Sequence, residues 1–301
     1  MSVATTPTRL LWYRFLRHRF AEVSLAFIVL LLILSFAAPW IAQLRGIDPS
    51  MTDLHHRLES PSAQYWLGTD DLGRDLFQRL LDGGRVSLLV GIAGAVLSAI
   101  LGALIGVVSG YLGGRLDSVL MRLTDGVIAL PLLPLLIVLA AIDPRKLGIS
   151  LDFAQSETFA LYRIVFIVAL TGWTTVARLV RAETLSLKER DFARAARALG
   201  ARPVRIMLRH ILPNAMGSLV VATTMSIGGL ILLESTLSFL GLGTQPPAAS
   251  WGNMLTGAQE LLQEAPSLAV WPGLLIFLTV IAFNFVGDGL QDALDPRSER
   301  R

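Results

Sequence analysis

The sequence predicts an all-α, polytopic membrane protein with six transmembrane helices. Two observations carry that reading. Hydrophobic residues fill 53% of the 301 positions and charged ones only 16%, with a mean hydropathy of +0.60, whereas a soluble domain carries about 25% charged residues. Uncharged runs also recur along the chain at lengths that cross a bilayer core of about 30 Å, which takes about 20 helical residues.

The first run, 23–44, follows Arg9, Arg14, Arg17 and Arg19. A signal peptide also opens this way, but the length of the run and its lack of a small-residue cleavage site predict a retained helix. The second run is 86–110. The third is 126–142, extending back through 116–124, and in it Pro131 and Pro134 each remove a backbone donor and predict a kink. A weaker span, 161–180, carries Arg163 and Arg178, long side chains that reach the two interfaces. Runs 215–233 and 265–287 complete the six. The chain divides into an N-terminal part (1–85), a five-helix core (86–290) and a tail (291–301).

Loop charge sets the orientation. Nine Lys or Arg lie between Arg178 and Arg209, four precede the first span and three are in the tail, so both termini are expected on the cytoplasmic side. The net charge of +3 gives no basis for nucleic-acid binding, and the absence of cysteine excludes disulfides, thiol nucleophiles and metal–thiolate sites. His55-His56 lacks a ligand set around it, so no metal site is expected.

Three outer segments connect the spans: 45–85, 143–160 and 241–264. The last contains Gln245-Pro246-Pro247 and Ser250-Trp251-Gly252, read as an ordered loop whose tryptophan anchors at the lipid interface. The inner segment 183–214 says more. Ser186-Leu187-Lys188-Glu189 has the capping-box pattern and predicts a helix start. Phe192, Ala195, Ala196 and Leu199 then share one face, with Arg190, Arg194 and Arg197 elsewhere. Gly200 suits a left-handed cap, Pro203 the first turn of a second helix, and Pro213 precedes the next span. Such a pair lies on anionic lipid or docks on a partner; two adjacent alanines favour close backbone approach to a partner groove.

At these residues the chain resembles a known family. Ala195-Ala196, Gly200 and Leu212-Pro213, with nine residues between Gly200 and His210, are similar to the EAA loop of ABC-importer permeases; Arg194 stands in place of the signature's glutamate and His210 of its isoleucine. Ala195-Ala196-Arg197-Ala198-Leu199-Gly200-Ala201 and Arg209-His210-Ile211-Leu212-Pro213-Asn214 resemble the dipeptide/oligopeptide/nickel branch, and in particular its C-type subunit. So do Trp66 to Asp75 (WLGTDDLGRD), Leu237 to Gly243 (LSFLGLG) and Phe283 to Leu290 (FNFVGDGL).

The resemblance implies a type I ABC importer permease fold and an inner-membrane complex. Its partners would be a second homologous permease, two cytoplasmic ATPases and an extracytoplasmic substrate-binding protein. Phe192, Arg194, Ala195, Ala196, Leu199, Gly200 and Pro213 would form the element seated on an ATPase. ATP and Mg would be used by those partners and no cofactor bound by this chain. In keeping with this, Lys146 and Lys188 are the only lysines and neither follows a glycine, as a P-loop requires. The implied cargo is di- or oligopeptides moved by alternating access; nickel, glutathione-like compounds and peptide antibiotics are the alternatives, and an ion-gradient-driven carrier is the rival class.

Ser98, Gly102, Gly106 and Gly110 repeat every four residues and predict close helix packing. Asp125 and Glu234 are the carboxylates nearest membrane depth, so each must face protein or water. Asp125 is expected to pair with Arg122, and Glu234 either to hold a structural partner or to line the pathway.

Overall fold

The computed structural model describes residues 7–49, 51–154 and 156–294; the end of the tail, 295–301, lies outside them. Among the described residues there is no strand, only one isolated bridge between Thr69 and Asp75.

Helix α1 (Pro7–Leu16) meets α2 (Arg19–Phe36) at His18, whose Nδ1 accepts the Ala21 amide. The first apolar run is not one helix: it is interrupted at Ala37, and α3 (Ala38–Arg45) restarts with proline in its first turn. The central α4 (Leu76–Leu112) is capped by Asp75, whose carboxylate accepts the Gln78 amide at 2.6 Å. Helices α5 (Gly114–Ala129) and α6 (Leu132–Ala140) meet at 90°. The cause is Pro131, which forces Leu130 into extended backbone (ψ 136°).

After the short α7 (Leu151–Ala154) comes α8 (Glu157–Leu187), which extends past both ends of the expected 161–180 span because its charged ends remain helical. Then follow α9 (Asp191–Ala198), α10 (Pro203–Ile206), a π turn at Met207–Ile211, and α11 (Leu212–Phe239). Helices α12 (Trp251–Ala258) and α13 (Ser267–Leu294) end the fold. Five stretches are long and apolar enough to cross a membrane (α2, α4, α8, α10 through α11, and α13), and the bent α5–α6 pair makes six.

The core forms where α4 lies against α8 and α11, with α13 and α2 closing the far side. Leu88, Val90, Ile164, Val168, Ile231 and Phe283 fill it. Close approach of α4 and α8 rests on the glycine repeat. A Cβ on Gly102 would lie 2.6 Å from Val176 Cβ, one on Gly106 2.6 Å from the Ala177 carbonyl, and one on Gly110 2.8 Å from the Arg181 carbonyl. This face is used for packing within the subunit.

Three expectations are corrected here. Helix α8 runs on through Ser186 and Leu187, so the Ser186–Glu189 pattern caps nothing and α9 begins at Asp191. Asp125 pairs with Arg178 of α8 and not with Arg122. Trp251 is no lipid anchor: it is fully buried, its indole N–H donates to the Leu80 carbonyl at 2.9 Å, and its ring fills the recess left by Gly83 and Gly84. Burying an aromatic ring while satisfying its one donor beats leaving it at an interface.

Candidate functional site

Helix α9 sits at the end of the bundle where α4 meets α5 and where α8 ends. Its eight residues are too few to hold themselves helical in isolation, so neighbours fix it. Ala193 and Ala196 turn inward, and Ala196 joins a cluster with Val107, Val180, Ile206, Met207 and Ile211. Phe192, Ala195 and Leu199 face out, with Phe192 39% and Leu199 88% exposed. The expected single face of Phe192, Ala195, Ala196 and Leu199 is therefore split, and Ala193, which the sequence reading passed over, takes the inner position. Small side chains are what close backbone contact selects, and the i, i+3 pair Ala193/Ala196 is the signal that larger apolar neighbours masked.

Gly200 closes α9 in left-handed backbone (φ +78°), with its amide and that of Ala201 donating to Arg197 and Ala196 carbonyls. Arg194 reaches back to Glu189 at 3.0 Å and holds that carboxyl below its ordinary range. Pro203 opens α10 and Pro213 lies in the first turn of α11. The π turn between them is the kind of irregularity found inside helices at functional places.

The base of this element is pinned. Arg181 of α8 makes a bidentate pair with Asp117 of α5, both contacts 2.7 Å, and Ser109 of α4 also binds that carboxylate. Lys188 Nζ donates to the Gly110 carbonyl at 2.9 Å, and Ser218 of α11 donates to Glu183 at 2.9 Å. Four helices, α4, α5, α8 and α11, are thus tied together beside one short outward-facing helix.

Comparison with known proteins decides the family. Residues 102–300 match the binding-protein-dependent transport system inner membrane component, and residues 6–61 match the N-terminal TM domain of oligopeptide transport permease C. The chain belongs to this family. It is an ABC-importer permease subunit. Among its relatives are the oligopeptide transport system permease protein OppC of Bacillus subtilis (39% identical, covering 94% of this chain and 88% of the relative) and the glutathione transport system permease protein GsiD of Shigella flexneri (42%, 97% and 91%). GsiD of Escherichia coli O157:H7 is 41% identical over the same shares.

The permease's other sequence motifs resolve into structure. Glu234 is completely buried, and its carboxylate accepts Ser87 at 2.9 Å and Ser238 at 2.7 Å. Ser87 Oγ also accepts the Trp251 amide. Glu234 thereby ties α4, α11 and α12 together, where the sequence offered only a choice between partner and pathway. In the stretch Trp66 to Asp75, Asp70 binds the amides of Leu72 and Arg74 and pairs with Arg74 and Arg79, while Arg45 pairs with Asp75 and stacks over Trp66. Gly73 is required there: φ is +74° and a Cβ would collide with the Asp53 carbonyl at 1.8 Å. Gly287 and Gly289 bring α13 against Met225 and Ala21.

Proposed function

We propose that this permease is one of two homologous permeases in an inner-membrane importer that takes up peptides or peptide-like compounds such as glutathione. Both termini face the cytoplasm, two ATPases dock from that side and use the ATP and Mg, and a binding protein delivers cargo from outside. The chain performs no covalent step. The N-terminal helices brace α13, and the core from α4 onward alternates access.

The observation that carries the coupling role is the split of α9: Ala193 and Ala196 seat it on the bundle while Phe192, Ala195 and Leu199 remain free for a groove. Peptide or glutathione cargo is supported by the relatives' names alone. The test is Leu199→Asp. Because Leu199 touches little within the chain, the variant should insert and pair with its fellow permease normally, yet lose the ATPases on affinity purification and at least about tenfold of its uptake of labelled peptide, as expected for charging a buried leucine contact. Normal ATPase recovery and uptake would remove α9 from the coupling role.

A further inference from the structure

At the end of α8 remote from α9, a cavity of about 330 Å³ opens between α8, α4 and the segment leading into α12. Val86, Phe159, Arg163, Thr244, Gln245 and Pro246 are among the residues around it. Two of its side chains carry buried polar atoms with no hydrogen-bond partner: Arg163 Nε and Thr244 Oγ1, and Thr244 is only 3% exposed. Buried donors are almost always satisfied, so two orphans on one cavity call for an explanation.

Among the described residues, Arg163 is the half-buried arginine of the outer side with no carboxylate against it; Arg57 and Arg85, which also have none, are exposed. Arg45, Arg74, Arg79 and Arg145, on the same side of the predicted topology, each sit against a carboxylate of the chain. Among the described side chains none pairs with Arg163. A guanidinium held part-way into protein without a counter-ion is costly unless something supplies the charge. Its planar fork matches a carboxylate, and the Thr244 hydroxyl belongs to another residue lining the same cavity. The volume is at the small end for ligand pockets and suits one terminal residue, whose side chain Val86, Phe159 and Pro246 would cover.

We propose that this cavity receives the C-terminal carboxylate of the transported peptide, with Arg163 and Thr244 as donors, so that the permease itself recognises a free-acid terminus. The inference rests on the peptide-import reading above.

The test uses the complete transporter with its binding protein in proteoliposomes, comparing a peptide with its C-terminal amide. Arg163→Gln should raise the KM for uptake of the acid about tenfold, the scale of one charge-assisted contact, and change that for the amide less than about twofold. Arg163→Lys should retain part of the discrimination and Thr244→Val should lose a smaller part. If Arg163→Gln fails to assemble, Thr244→Val decides by the same ratio. If the amide is not delivered at all, protection of Arg163 from phenylglyoxal by the acid, read by mass spectrometry, supports the site, and absence of protection overturns it. Equal effects on acid and amide, as from a lipid phosphate or a purely structural arginine, overturn it while leaving peptide import standing. Failure of the wild-type transporter to take up either compound defeats the peptide reading and this site with it.

Discussion

Gly200 offers a perturbation whose size follows from the backbone alone. Its φ is +78°, and a Cβ built there meets nothing within 4 Å. Any L-residue therefore meets conformational strain of about 1–2 kcal/mol and no steric clash in the chain, while asparagine, which tolerates this region, meets less. Against that strain stands what seats α9: two buried alanine methyls at about 0.8 kcal/mol each and two turn hydrogen bonds of about 1 kcal/mol each. The strain is a large part of that total, enough to raise the unseated fraction of α9 by roughly five- to thirtyfold. Gly200→Ala and Gly200→Leu should then behave alike, and Gly200→Asn should stay near the parent. Hydrogen exchange of amides 193–201 in the purified transporter reads the seating, and uptake reads the consequence. A leucine variant far worse than the alanine variant would show that crowding, not backbone strain, governs this turn, and the reasoning would fail.

Two further outcomes are expected. Gly106→Ala should lower the thermal unfolding temperature in detergent, because its Cβ would press within 2.6 Å of the Ala177 carbonyl on α8 and overpacking costs about 1–3 kcal/mol; Gly229→Ala, with open space around it in α11, should be neutral or raise that temperature by the usual helical preference for alanine. His56 is the pH-sensitive group of the outer segment: its hydrogen bond to Glu59 raises its pKa above 6.5, so this pairing stabilises the folded segment fully below that value and the contribution fades as pH rises through the elevated pKa. Exchange of amides 53–70 should accordingly quicken from pH 6 to pH 8.5 in the parent beyond the intrinsic rate change, and Glu59→Gln should abolish the excess.

How far the sequence reaches differs by element. Membrane spans were legible because lipid imposes one rule on every 20-residue stretch, and the glycine repeat at 102, 106 and 110 was legible because close packing leaves a fixed period. The break at Leu130–Pro131 could be placed for the same kind of reason, since proline acts locally. Three features were not legible, and all depend on distant residues. Whether Ser186 starts a helix or lies inside one is settled by α8 continuing to Leu187, held where Lys188 reaches Gly110 some 78 positions away. Trp251 finds its slot in Gly83 and Gly84, and Asp125 prefers Arg178 on another helix to Arg122 on its own. In the candidate site, Gly200 and the outward Phe192 and Leu199 could be named in advance, whereas the inward Ala193 and the Asp117–Arg181 pin needed the packed structure.

The position of α8 links the two ends of the molecule. At 31 residues it spans about 46 Å, carrying Arg178 and Arg181 at the α9 end and Arg163 at the other. Between them it lies along α4, where Gly102, Gly106 and Gly110 contribute no side chain and Val176, Val180 and Thr184 of α8 press directly on the α4 backbone, so little slack is left for one helix to slide past the other. Long side chains between two helices could absorb a small displacement by changing rotamer; β-branched ones seated directly on a glycine backbone have far less room to do so. A shift of α8 at its Arg181 end therefore carries α4 with it, and with both the walls of the cavity that Arg163 and Val86 share. For the proposed coupling role, the distance between the two sites is then no obstacle, because one closely packed helix pair joins them.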